Sequence, residues 1–209
     1  MIDLYTAATP NGRKVSIMLE ELELPYTAHP VDIQDKHQHS EEFLKISPNN
    51  KIPAITDHET GISLMESGAI LMYLAEKTGR LMPQDEAERW QAIQWLMFQM
   101  GGLGPILGQV HHFLHFNPGI SEYAERRYYN DALRMMGVMD RQLEKHEYLA
   151  GEYSIADIAA WPWVSRFEWQ EIDLNNFPNV KRWYMEIAGR PAVQRGYKVP
   201  VDMGDIPLP

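Results

Sequence analysis

The sequence predicts a mixed α/β domain followed by an all-helical one. Three observations carry that prediction. Over residues 1–78, short β-type runs alternate with short helical ones. Residues 79–85 (GRLMPQD) place a glycine and then a proline at a break. From Glu86 onward, apolar residues recur at helical spacing almost throughout. The 209 residues are ample for a core in each part.

The first part opens with a short strand, Ile2-Asp3-Leu4-Tyr5, and a turn, Thr9-Pro10-Asn11-Gly12. Lys14 to Leu22 reads as a helix with apolar Val15, Ile17, Met18 and Leu22. Tyr26 to Val31 is a second strand and Glu41 to Ile46 a short helix. Ile52 to Thr56 and Ile62 to Met65 form a hairpin. Ser67 to Lys77 is a helix carrying Ile70, Leu71 and Leu74 on one face. The order βαβ then ββα is that of a thioredoxin-like domain, assigned to residues 1–78, with residues 79–85 as linker.

Residues 86–209 are expected to be helical. Helices are predicted from Ala87 to about Met100, from Ser121 to about His146, over Ile155 to Gln170 and over Asn179 to Ile187. The run Gly101-Gly102-Leu103-Gly104-Pro105 is expected to interrupt or kink the first, which resumes through His112. Ser154-Ile155-Ala156-Asp157 reads as a capping box with Asp in place of Glu; losing the Ser154 cap costs about 1 kcal/mol. Trp161, Trp163 and Trp183 are expected mostly in the core, and Trp95, Met97 and Phe98 at a dimer interface.

Composition excludes several functions. A net charge of −10 repels phosphate backbones, so nucleic acid is not an expected partner. No apolar run approaches the roughly 18 residues of a membrane span. The start, MIDLYTAATPNG, lacks a basic region and a long apolar stretch, which points to the cytoplasm. His111, His112 and His115 offer neighbouring imidazoles but no evident further ligand, so no metal is expected. With no cysteine, the chain has no thiol nucleophile, and any thiol chemistry must use a thiol the ligand brings.

The densest information lies in Ser47 to Ser67, SPNNKIPAITDHETGISLMES, with Gly68-Ala69-Ile70 following. If Ile52-Pro53 is cis, the Ile52 N–H and C=O face outward, where a short extended peptide can pair with them. Glu66 can take the amino end of that ligand, and Ser67 opens a helix whose N–H groups favour a carboxylate. These parts describe a site for a small zwitterionic peptide with an α-amino acid head.

This arrangement resembles the glutathione-binding half of the glutathione transferase superfamily. Ala8-Thr9-Pro10-Asn11-Gly12, SPNNKIP and the Gly101–Pro105 run resemble its bacterial Nu-class group, glutathione-dependent disulfide-bond oxidoreductases related to the yeast nitrogen-regulator prion protein. The resemblance implies the glutathione transferase fold, a homodimer, and glutathione as co-substrate. By resemblance, Ile52 and Pro53 meet the cysteinyl backbone, and Glu66 and Ser67 hold the γ-glutamyl head. Thr9 and Asn11 flank the sulfur, Gln38 meets the glycyl end, and Lys51 adds charge near the glycyl carboxylate. Gln94 reaches the partner subunit's ligand, and Arg127 anchors a second glutathione, or Arg126 if the register slips by one. Tyr5 is the rival thiolate donor, in the place used by tyrosine-type enzymes. Lowering a thiol pKa by two units needs about 2.7 kcal/mol, within reach of a helix N-terminus plus one or two hydrogen bonds. The implied activity is reduction of a small disulfide with release of oxidised glutathione. Conjugation to electrophiles, peroxide reduction and a non-catalytic regulatory role remain as alternatives.

Overall fold

A computed structural model describes residues 1–209 as two compact units, residues 1–82 with 189–206, and residues 83–188 with 207–209. In the first, four strands, β1 (Ile2–Thr6), β2 (Tyr26–Pro30), β3 (Ala54–Asp57) and β4 (Ile62–Met65), form one sheet in the order β2-β1-β3-β4. β1 runs parallel to β2 and antiparallel to β3, which pairs antiparallel with β4. Ile2, Leu4 and Thr6 are buried while Asp3 and Tyr5 are only partly so, as period-two alternation requires. Leu4 pairs with Ile55 on the face covered by α1 (Pro10–Leu22) and α3 (Ser67–Thr78). Tyr5 pairs with Ala54 on the other face, against Val31 and Phe43 of α2 (Glu41–Ile46).

α1 begins four residues earlier than its apolar periodicity suggests. Thr9 is its N-cap, with Oγ1 accepting from the Gly12 N–H at 3.2 Å, and Pro10 takes the first helical position, where no N–H is missed. The expected turn is therefore the helix's own first turn.

The second unit holds α4 (Glu86–Phe98), α5 (Gly104–Val110), α6 (Glu122–Leu143), α7 (Ile155–Val164) and α8 (Pro178–Ala188). The glycine-rich run interrupts the α-helix as expected, and the chain stays helical through it. Gln99–Leu103 forms a widened π-helical turn joining α4 to α5, a second such turn spans His111–Phe116, and Gly104 keeps helical angles (φ −61°, ψ −53°). α7 ends at Val164, short of the expected Gln170, and Pro162 lies within its last turn.

One helix was not anticipated. α9 (Pro191–Tyr197) belongs with the first unit, whereas the sequence places all of residues 86–209 in the helical domain. Its contacts with α1 give the reason. A Cβ on Gly196 would stand 2.6 Å from Ile17 Cα, so only glycine permits this approach. Ser16 Oγ donates to the Gly196 carbonyl at 2.7 Å, the Arg13 guanidinium lies 3.5 Å over the Tyr197 ring, and Arg190 Nε and Nη2 reach the Glu21 carboxylate at 2.7 and 2.9 Å. Helical periodicity reports an apolar face but not which core receives it.

The capping box forms as expected, with Ser154 Oγ accepting from the Ala156 N–H and Asp157 Oδ2 accepting from the Ser154 N–H at 3.0 Å. Asp157 Oδ1 also accepts from the Leu149 N–H (3.0 Å) and Trp183 Nε1 (2.8 Å). Burial pushes this carboxyl up to about 6, against the pull of those donors. Trp161 and Trp183 are fully buried, and Trp161 Nε1 donates to the Tyr184 carbonyl at 3.0 Å.

His111 supplies a pH test of this core. It stacks against Trp163, and Gln170 Nε2 donates to its Nε2 at 3.1 Å, which requires a neutral ring. Burial, then Arg166 and His115, lower its pKa from 6.5 to about 4. The unfolded chain therefore binds the extra proton first, so the His111 contribution to stability falls as pH drops from about 6.5 towards 4, by up to about 3 kcal/mol. Asp157, held up at about 6, titrates in the same window with the opposite sign, so the loss is read as the difference in urea midpoint between the protein and His111→Phe across it. An equal slope in the variant would assign the loss elsewhere.

Candidate functional site

The connection before β3 is built to present the main chain of Ile52. Ser47, fully buried, donates from Oγ to the Lys51 carbonyl at 2.8 Å, and Asn50 takes a left-handed φ of 55°, a conformation Asn tolerates. The Ile52-Pro53 peptide is cis, and Ile52 makes no backbone hydrogen bond within the chain. Its N–H and C=O are available for a strand-like partner.

At the end of β4 the chain turns through Glu66, with φ 69° and ψ 111°, into α3, which Ser67 opens. A non-glycine residue in this region costs about 1–3 kcal/mol, and such outliers gather where a side chain is aimed at a ligand. The Glu66 carboxylate is exposed and Ser67 is buried at the helix N-terminus. Ser67 therefore supplies a hydroxyl beside N–H groups that favour an anion.

Beneath Ser67 lies a residue that sequence reasoning missed. Lys14 is 1% exposed, and its Nζ stands 3.2 Å from Ser67 Oγ. Burial lowers its pKa to about 7, with Glu66 pulling the other way. A signal existed, since Lys14 shares the stripe of Ile17, Met18 and Leu22 at helical spacing, where a charge is out of place.

The first turn of α1 carries Thr9 and Asn11, both partly buried. Thr9 Oγ1 is occupied as a cap acceptor, which leaves its hydroxyl proton free to be donated. The turn sits hard against the preceding loop, for a Cβ on Gly12 would stand 2.1 Å from the Ala7 carbonyl oxygen. Tyr5 lies on the opposite face of the sheet from α1. Its ring stacks on His29 at 4.9 Å beside Phe43, in a separate groove of about 430 Å³, and burial followed by Asp3 raises its pKa. Strand alternation thus turns it away from the helix that carries Thr9 and Asn11.

The remaining predicted residues are dispersed. Gln38 donates from Nε2 to the Ile33 carbonyl at 3.4 Å, while its buried Oε1 has no partner. Lys51 is exposed beside Ile52. Gln94 is exposed on α4, paired with Gln91, and near it Trp90 and Met97 are 61% and 49% exposed. Arg127 lines a cavity of about 360 Å³ in the helical unit with Tyr128, Asp131 and Arg134, and Arg126 does not. No group of three or more His, Asp or Glu side chains is arranged to hold a metal ion.

Comparison with known proteins decides the family. Residues 4–82 match the glutathione S-transferase N-terminal domain and residues 108–191 its C-terminal domain. The chain belongs to the glutathione S-transferase family. The disulfide-bond oxidoreductase YfcG of Escherichia coli is 52% identical to this transferase over 198 residues, covering 92% of each chain. A Pseudomonas putida glutathione transferase, solved with one glutathione disulfide bound per subunit, superposes with a TM-score of 0.90 at 49% identity, covering 95% of this chain and 91% of that one. A Burkholderia graminis glutathione transferase with two glutathione molecules per subunit does so with a TM-score of 0.90 at 46% identity, covering 95% and 88%. The transferase fold, a thioredoxin-like α/β sheet with an all-α helical C-terminal domain, is the one expected from the sequence. No helix is long and apolar enough to cross a membrane.

Proposed function

We propose that this transferase reduces small disulfides with glutathione, as a cytoplasmic homodimer, using the thiolate of a bound glutathione in place of a protein cysteine. The observation that carries the reading is the Ile52 main chain left open beside the Glu66-Ser67 turn, in a chain with no cysteine. The kinship with a relative named as a disulfide-bond oxidoreductase and with a transferase solved with glutathione disulfide supports it.

On this reading residues 1–78 bind glutathione, and residues 86–188 bind the disulfide and form the dimer. Ile52 and Pro53 hold the cysteinyl unit, Glu66 the α-amino group and Ser67 the α-carboxylate. Gln38 and Lys51 take the glycyl end. Gln94 serves the partner subunit's ligand, and Arg127, the one of the two candidate arginines that lines a cavity, takes a carboxylate of the second glutathione. Thr9 and Asn11 donate to the sulfur. The thiolate attacks one sulfur of the disulfide, forming a mixed disulfide and expelling a thiolate that takes up a proton. A second glutathione thiolate then attacks the glutathionyl sulfur, releasing oxidised glutathione and the second thiol. Two glutathiones supply the two electrons.

Steady-state rates with glutathione and 2-hydroxyethyl disulfide, set beside chlorodinitrobenzene, test the reading. Fast disulfide turnover with slow conjugation is expected. The reverse ratio makes conjugation to electrophiles the main activity, and glutathione binding without turnover makes the protein a binding module.

Glu66→Ala should weaken glutathione binding roughly tenfold to a hundredfold, the loss of a charge-assisted hydrogen bond of about 1.5–3 kcal/mol, with kcat far less affected. Titration calorimetry reads the change. An unaltered Kd would remove Glu66 from the site.

A further inference from the structure

The groove of about 430 Å³ between the sheet and α2 lies on the opposite face of the sheet from Thr9 and Asn11, and the reaction above uses none of its residues. One wall is aromatic. Tyr5 of β1 and His29 of β2, neighbours in register, stack at 4.9 Å with their planes 20° apart. Phe43 of α2 meets Tyr5 edge-on at 6.3 Å. Val31 and Ile46 complete the apolar surface, and Glu42 of α2 also lines the groove.

The fixed charges here are negative. Glu42 is exposed and forms no ion pair within the chain, and neither lysine nor arginine lines the groove. Asp3 lies behind His29. Hydrogen bonds from His29 Nε2 (3.0 Å) and His58 Nε2 (2.7 Å) hold its carboxyl below the usual range, so it stays ionised. The Tyr5 phenol, pushed up by burial and then by Asp3, stays neutral and has no hydrogen-bond partner within the chain.

Negative charge beside aromatic faces is the complement of a cation on an apolar body. The ring of such a ligand packs against Tyr5 and Phe43, and its ammonium gains from an aromatic face and a carboxylate together. An aromatic carboxylate of the same shape would meet Glu42 and Asp3 with like charge. The volume suits one small molecule, since ligand clefts run from about 300 to 1,000 Å³.

We propose that the groove lined by Tyr5, His29, Phe43 and Glu42 is a second ligand site, which takes a small aromatic ammonium with its ring against Tyr5 and Phe43 and its cation at Glu42. This site does not depend on the glutathione reading.

Tryptamine is the probe. It is titrated calorimetrically into the full-length protein at about pH 8, where an alkylamine is charged and an ordinary imidazole is neutral. Saturable binding of one molecule per chain is expected, with a Kd between about 10 µM and 1 mM. Tryptophol, the neutral analogue, should bind at least about threefold more weakly, and indole-3-propionate at least about tenfold more weakly. Glu42→Gln should weaken tryptamine binding about threefold to fivefold, and Glu42→Lys at least about tenfold. Glu41→Gln removes the same charge one residue away, outside the groove, and should leave Kd within about twofold. Both positions are exposed, so neither change disturbs packing. Absence of saturable tryptamine binding, equal binding of the three probes, or equal losses in Glu41→Gln and Glu42→Gln would overturn the site.

Discussion

Asn11→Ala should lower kcat/KM for disulfide reduction roughly tenfold to a hundredfold while leaving the melting temperature nearly unchanged. The magnitude follows from one hydrogen bond to a charged acceptor, about 1.5–3 kcal/mol. Asn11 is the second residue of α1, where the helix N-terminus favours a thiolate and a side-chain amide can add a donor. Thr9 makes the instructive contrast. Its oxygen caps α1, so Thr9→Ala combines any catalytic loss with a cap loss of about 1 kcal/mol, and its kinetics alone cannot be read as chemistry. Steady-state kinetics of Asn11→Ala beside its thermal denaturation give the answer. A rate equal to that of the unaltered enzyme would take Asn11 out of the mechanism and leave Thr9 and the helix N-terminus to hold the sulfur.

The largest loss of stability is expected far from that chemistry. Asp157→Ala should cost about 3–5 kcal/mol, enough to unfold a marginal domain. The carboxylate accepts from the Leu149 and Ser154 N–H groups and from Trp183 Nε1, all within 3.0 Å. Truncation strands three donors where water does not reach, each costing about 1–3 kcal/mol. Asp157→Asn does not restore the box, since an amide nitrogen placed at Oδ2 opposes the Ser154 N–H. Urea denaturation at constant slope reads the difference. A shift worth less than about 1 kcal/mol would mean that the box is dispensable.

What could be read in the sequence was of two kinds. Local backbone chemistry was plain. The Ser154-Asp157 box, the SPNNK turn before a cis-proline, and a helix opening at Ser67 all depend on residues within a few positions of one another. Apolar periodicity also located the elements. It failed where a residue's role is set by a distant partner. Pro10 to Gly12 looked like a turn because no apolar residue marks it, although a Thr cap and a proline start a helix there. The glycines at 101 to 104 do mark an interruption of the α-helix, and its form, a widened helical turn, is what local propensity does not give.

The sequence alone determined the fold class and marked the local backbone features at Ile52-Pro53 and Glu66-Ser67, because motif spacing and local hydrogen bonding are properties of short segments. Only the tertiary structure decided three further matters. It carried α9 back to α1 through Gly196, Arg13 and Arg190. It turned Tyr5 to the α2 face. It set the Lys14 amine 3.2 Å beneath Ser67. Each joins residues far apart in the chain or chooses between two faces of an element. That choice is made by which apolar surfaces leave water together, and no local pattern encodes it.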